Sequence, residues 1–124
     1  MKLRVTIQWT ETARKSLKQL PPKVRRGIIS KIDELYECDP RQVGKPLAGP
    51  LQGFRSLEYS RYRVIIHTET ETIANGKESV HVKVQVVVAG LRKERDKHDV
   101  YQVAKKLVEL GVIPVHDAEG DAPS

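Results

Sequence analysis

Two arginines, one tyrosine and one histidine carry the chemistry legible in this chain. Arg63 belongs to an apolar run, Tyr62-Arg63-Val64-Ile65, and Arg92 follows Gly90 at the end of a run of alternating valines. His98 and Tyr101 come soon after, where a helical pattern begins. Guanidinium groups stay charged and match two phosphate oxygens at once. A phenol and an imidazole can take or give a proton. Brought together, such groups suit a phosphodiester: two forks hold the charge that grows around phosphorus, and two titratable groups move protons. Tyr101 stands one helical step, about 100°, from Val100. It shares its face with Lys97 and Lys105, at i−4 and i+4. Two ammonium groups there favour the ionised phenol and make Tyr101 a candidate base. His98, at i−3, is the candidate acid. Each residue also has a plainer reading: Tyr101 as an edge-of-core residue with a wet hydroxyl, His98 as an exposed turn residue, Arg63 as a cross-hairpin partner of Glu58. Glu58 itself reads either as a general base or as that partner. Arg55, Arg61, Lys93, Lys97 and Lys105 supply basic groups suited to holding a nucleic-acid backbone.

The elements that must position these residues follow from periodicity. Leu3, Val5, Ile7 and Trp9 alternate with polar residues, which is a half-buried strand with Trp9 at the core end of its buried face. Thr10 is placed to cap a short helix whose buried face is Ala13, Leu17 and Leu20. Pro21-Pro22 stops that helix and starts the next, in which Val24, Ile28, Ile32 and Leu35 recur at helical spacing to about Glu37. The two read as an antiparallel helical hairpin. Asp39–Gly53 is an irregular loop rich in glycine and proline. Strands are expected over Phe54–Tyr59 and Arg61–Thr70 with a short turn at Ser60, and Asn75-Gly76 marks a second hairpin turn. Val80 to Val88 alternates cleanly, and its second half is apolar on both faces, which places it centrally in a sheet. Beyond the charged turn Arg92–Asp99, the stripe Val100, Val103, Ala104, Leu107 and Leu110 predicts a last helix. The expected class is α+β, in the order β-α-α-β-β-β-α, with a small, mainly antiparallel four-stranded sheet.

At 124 residues the chain is one domain, expected over residues 1–112, followed by an acidic segment 113–124 without periodicity that is expected to be disordered. The net charge is +6, with a pI near 9.5. The terminal segment holds Asp117, Glu119 and Asp121 and no Lys or Arg, so the rest of the chain carries +9. A body that basic draws polyanions. Aromatics make up only 5%, so base stacking is not its main means of binding. No run is long enough to span a membrane, and the first residues enter a strand pattern without a signal-peptide core. The single cysteine, Cys38, forms no internal disulfide and no cysteine-based zinc site, which fits the cytoplasm. The four histidines lack metal-ligand spacing, and His67 and His81 are expected on the wet side of strands.

An ordered set of short motifs completes the reading. It runs from Gln8-Trp9-Thr10 through Leu20-Pro21 and Asp39-Pro40 to Lys45-Pro46-Leu47-Ala48-Gly49 and Leu51-Gln52-Gly53. It continues with Tyr62-Arg63-Val64-Ile65, Gly90-x-Arg92 and Val100-Tyr101. This set resembles the RelE/ParE superfamily of toxins from type II toxin–antitoxin systems, on the RelE-like side. The resemblance implies a toxin that acts as a ribosome-dependent mRNA endoribonuclease, without metal or organic cofactor, and is held silent by a cognate antitoxin protein. The alternative within the superfamily is a ParE-like DNA gyrase poison without chemistry of its own. By resemblance Arg63 and Arg92 match arginines that stabilise the reacting phosphate, Tyr101 matches a tyrosine at that phosphate, and Arg55 matches a basic strand position. This chain departs from the family in two places. Glu58 stands where many members carry a basic residue, and the turn between Arg92 and Tyr101 is a few residues longer than in RelE.

Overall fold

In the computed structural model, residues 2–74, 78–93 and 99–111 are described. The Asn75-Gly76 turn and the acidic segment 113–124 lie outside them.

Strand β1 (Lys2–Trp9) ends where Thr10 caps α1 (Glu11–Lys18). The Thr10 hydroxyl accepts the Ala13 N–H at 3.0 Å, as the sequence predicts for that position. α2 (Pro22–Asp33) opens on the second proline of the pair, and a 3-10 turn, Glu34–Glu37, continues it. The regular helix is therefore shorter than its apolar pattern, although Leu35 in the turn is still buried. Then come β2 (Lys45–Pro46), β3 (Phe54–Tyr59), β4 (Tyr62–Ala74), β5 (Glu78–Leu91) and α3 (Val100–Glu109).

Among the described residues the sheet has five strands, in the order β1-β5-β4-β3-β2, against the four expected. The additional strand is the two-residue β2, which is too short to leave an alternation signal and sits inside a loop of glycines and prolines. The pairing is antiparallel except between β1 and β5, which run parallel from Lys2↔Ser79 to Trp9↔Val86. β4 begins at Tyr62, one residue later than expected. Tyr59 and Tyr62 pair, so Ser60 and Arg61 form a two-residue turn, with Ser60 at φ +54. That backbone region normally favours glycine.

β5 lies between β1 and β4, as its two-faced apolarity requires. One face packs Val80, Val82, Val84 and Val86 against Ala13 and Leu17 of α1, Ile28 and Ile32 of α2, and Trp9. The opposite face packs Val87 and Val88 against Val100 and Ala104 of α3, with Leu51, Phe54 and Ile65. The pairing shifts between Ile65 and Ile66: Ile65 faces Val88 whereas Ile66 faces Val86, so Val87 is an extra residue in β5. Groups around this bulge are met by α1. The Thr10 hydroxyl donates to the Val87 carbonyl at 2.9 Å, and the Ala89 N–H donates to the Ser16 hydroxyl at 3.1 Å. On α3, Val103 and Leu107 are half-buried, but Leu110 is 66% exposed, contrary to its place in the apolar stripe. It follows the last helical turn. No helix among the described residues is long and apolar enough to cross a membrane.

The loop between α2 and β3 is built from local devices. Asp39 caps the turn Pro40–Gln42 by accepting the Arg41 N–H at 3.1 Å. Its carboxylate also takes the Arg41 guanidinium at 2.9 and 2.8 Å. Gly44, at φ +76, is wedged against the sheet: a Cβ there would stand 2.5 Å from the Ser56 carbonyl oxygen and 2.7 Å from Leu57 Cδ2. Only glycine meets both constraints. Gly44→Ala is expected to cost about 2–4 kcal/mol, from the left-handed backbone and the crowding together, read as a fall in unfolding free energy in denaturant melts. The hydrogen bonds from Arg41 hold the Asp39 carboxyl below the ordinary carboxylate value, against an opposing push from burial. A lowered native value adds stability that is present above the unfolded value and is lost as pH falls through the native one. Asp39→Asn is expected to lower the melting temperature slightly at pH 7, and the gap from the parent is expected to close as the pH drops below about 4.

Candidate functional site

β2, β3, β4, the end of β5 and α3 enclose a hollow of about 340 Å³ on the α3 side of the sheet. Strand alternation decides which side chains reach it. On β3, Ser56 and Glu58 share the face of buried Phe54, while Leu57 turns to the opposite core. On β4, Arg63 shares the face of Ile65. On β5, the bulge at Val87 moves Val88 to this face, so that Gly90 and Arg92 follow it two and four residues on. Without the extra residue, the even-numbered positions would have continued on the face of Val82, Val84 and Val86, and Arg92 would point away from Arg63.

Ser56 and Tyr101 meet at the hollow with their oxygens 2.9 Å apart. Ser56 is buried and Tyr101 half-buried. Tyr101 is one step from buried Val100 and packs against the edge of the α3-side core, the edge-of-core place considered from sequence. Leu47, Ala48 and Leu51 supply an apolar wall. Leu51 is held by the turn Gly49–Leu51, and the Leu47 N–H bonds to the Phe54 carbonyl at 3.0 Å, which keeps this wall beside β3. Four cationic side chains also line the space, Lys45, Arg63, Arg92 and Lys105, with Glu58 as the one carboxylate among the lining residues.

Arg63 is fixed from behind. Its Nη1 donates to the Ser60 carbonyl at 3.0 Å and to the Tyr62 carbonyl at 2.9 Å. Its Nη2 lies 3.8 Å from Glu58 Oε2, across the register pair Glu58↔Arg63. The cross-hairpin partnership considered from sequence is thus present, but it is long. The Arg63 side chain is 13% exposed and that of Glu58 is 72% exposed. A pair with one wet partner at that distance contributes little to stability, so the carbonyls do more than Glu58 to aim the guanidinium.

Of the residues singled out from sequence, Arg63, Arg92, Tyr101 and Lys105 come together here. Arg55, Arg61 and Lys93 are not among the lining residues. Arg55 donates to the Val43 carbonyl at 2.6 Å and to the Gly44 carbonyl at 3.1 Å, so its guanidinium is committed to holding the loop against β3. Arg61 and Lys93 are exposed, and the Arg61 carbonyl accepts the Arg92 N–H at 3.1 Å. Lys97 and His98 lie outside the described residues. Sequence reasoning missed Lys45 and Ser56 as site residues. Ser56 carried a signal, since it is two residues from Phe54 and from Glu58 on one strand. Lys45 carried none beyond its charge, because its strand is two residues long.

A small basic α+β protein with a cation-lined hollow at one end of its sheet is the class that the fold and this site define. Over 66 residues the chain is 32% identical to Toxin RelG of Mycobacterium tuberculosis, a match that spans 53% of this chain and 76% of that protein. The chain belongs to the RelE family of toxins from toxin–antitoxin systems. Among solved structures it is similar to the toxin–antitoxin complex RelBE2 from Mycobacterium tuberculosis. That match has 28% identity and a TM-score of 0.41, and covers 68% of this chain and 92% of the other. It is also similar to the isolated E. coli RelE toxin, with 23% identity and a TM-score of 0.46, covering 82% of this chain and 96% of the other. No protein-family model matches the chain.

The contact between Ser56 and Tyr101 is open to direct measurement. In a double-mutant cycle of Ser56→Ala and Tyr101→Phe, denaturant melts are expected to give a coupling of about 0.5–1.5 kcal/mol. Additive losses would mean that the two hydroxyls do not bond in solution.

Proposed function

We propose that this chain is a ribosome-dependent mRNA endoribonuclease, the toxin of a module whose antitoxin protein binds and silences it in the cytoplasm. The reading is carried by one observation, the gathering of Arg63, Arg92, Tyr101 and Lys105 around a single hollow. A gyrase poison that acts by binding alone has no need of two guanidinium groups and a phenol lining one hollow.

In this proposal a messenger phosphodiester sits between the two arginines. The 2′-hydroxyl loses its proton, its oxygen bonds to phosphorus, and the bond from phosphorus to the 5′-oxygen breaks. The departing oxygen takes up a proton, leaving a 2′,3′-cyclic phosphate and a 5′-hydroxyl. Arg63 and Arg92 stabilise the charge on the phosphorane, and Arg63 is already oriented by the Ser60 and Tyr62 carbonyls. Tyr101 is the proposed base, with its phenol oriented by Ser56, and Lys105 stands on the same helix face one turn on. His98 is the proposed acid. Lys45 and Lys105 hold flanking backbone, while Arg61, Lys93 and Lys97 extend the basic surface towards ribosomal RNA. No step here calls for a metal or an organic cofactor.

Brief induction in cells, with mapping of mRNA 5′ ends and a supercoiling assay of gyrase, tests the reading. Cuts within translated codons support it. Double-strand DNA breaks with intact messages would replace it with the gyrase reading. Arg63→Ala is expected to lower cleavage by about 100- to 1,000-fold while keeping cooperative unfolding. Tyr101→Phe is expected to slow cleavage as well, and a Phe variant that cuts at the parent rate would remove the phenol from the chemistry.

A further inference from the structure

Asp99 is 5% exposed, and both of its carboxylate oxygens are in use. Oδ2 accepts the Tyr101 N–H at 2.9 Å, which is the N-terminal cap of α3. Oδ1 accepts the Lys93 N–H at 2.6 Å. The first bond is ordinary helix capping, and serine or threonine would make it as well. The second is not. It joins the start of α3 to the chain just past β5, one residue after Arg92, and it needs a second accepting oxygen, which a carboxylate has and an amide or hydroxyl lacks. Arg92 is meanwhile tied on its other side, where its N–H donates to the Arg61 carbonyl in the β3–β4 turn. That turn also supplies the Ser60 carbonyl that holds Arg63. A continuous series of short bonds thus runs from Arg63 through Arg92 to Asp99 and on to Tyr101.

The geometry points to Asp99 as a positioning residue for the hollow: its two-oxygen clamp on the Lys93 and Tyr101 amides sets the spacing between Arg92 and Tyr101. The inference rests on the cleavage reading above. Asp99 is not among the residues that line the hollow, and it acts through the backbone on either side of it. Bonds from two amides to one buried carboxylate are charge-assisted and resist stretching more than neutral ones. The clamp ties Lys93 directly to Asp99. Catalytic geometry is sensitive at this scale, since a shift of about 1 Å costs on the order of 100-fold in rate.

The test uses the full chain and two substitutions. Asp99→Ser keeps a helix cap but is too short to reach the Lys93 N–H as well. Asp99→Asn keeps one accepting oxygen, and its amide nitrogen cannot accept from the second N–H. On ribosomes carrying message, Asp99→Ser is expected to lower kcat about 10- to 100-fold with KM changed little, because the basic surface that docks is untouched. Asp99→Asn is expected to shift kcat in the same direction. Amide hydrogen exchange is read in parallel. The Lys93 and Tyr101 amides are both expected to be protected in the parent, and in Asp99→Ser only Lys93 is expected to be released. Parent-level kcat in a variant whose Lys93 amide is released would overturn the inference. So would a Lys93 amide that exchanges freely in the parent. If Asp99→Ser does not fold, the same readouts on Asp99→Asn decide. If the parent cuts no message, the nuclease reading falls by itself, and the exchange data alone then sustain or overturn the clamp.

Discussion

Strand β5 must be covered on both faces, and the rest of the molecule is arranged to do so. Val82, Val84 and Val86 demand one apolar partner layer, which α1 and α2 supply. Val87 and Val88 demand another, which α3 and the loop at Leu51 supply. Each buried side chain of this kind is worth about 1.5–3 kcal/mol, so neither layer can be given up in a domain of this size. The change of face within one strand is made by a single extra residue at the bulge. Thr10 and Ser16, which begin and line α1, bond the Val87 carbonyl and the Ala89 amide beside it. The helix cap and the strand irregularity are therefore one structure, and the polar groups there do not go unpaired.

The hollow is a consequence of that layering. α3 covers the sheet beside Val87 and Val88, and β3 and the loop close the far side, leaving a space over the ends of β4 and β5. The loop keeps its shape through few, specific constraints. Asp39 and Arg41 fold its first turn, Gly44 allows close approach to β3, and Arg55 clamps the Val43 and Gly44 carbonyls. A basic residue that sequence reasoning assigned to nucleic acid thus serves to hold a loop. The reason is local: a guanidinium beside two carbonyls that no strand partner satisfies is more stable bonded to them than extended into water.

Glu58 gives the site its particular character. It places a carboxylate among four cations at the hollow. With 72% of its side chain exposed and 3.8 Å to Arg63, it moderates the local field without sequestering the arginine, which remains held by backbone carbonyls. The local balance still favours an anionic ligand, in keeping with the basic character of the whole chain.

The amino-acid sequence by itself determined the helices, the central strand and the family. Capping at Thr10, the proline pair, the two-faced run of valines and the stripe from Val100 are local patterns, and local patterns follow from short-range sterics and burial. It also determined that Tyr101 stands one helical step from buried Val100, at the edge of the core rather than in its centre, since that is a matter of helical step alone. The existence of β2, the bulge at Val87 and the bond between Ser56 and Tyr101 were decided only by the tertiary structure. Each depends on partners far along the chain: Lys45 against Ser56, Val87 against Thr10, and Tyr101 against Ser56. Period-two reading fails wherever one residue is inserted, and from sequence alone Arg92 would have been assigned the face of Val86. Its meeting with Arg63 on one face was settled by pairing across strands, because only the register of β4 against β5 records which residue is the extra one.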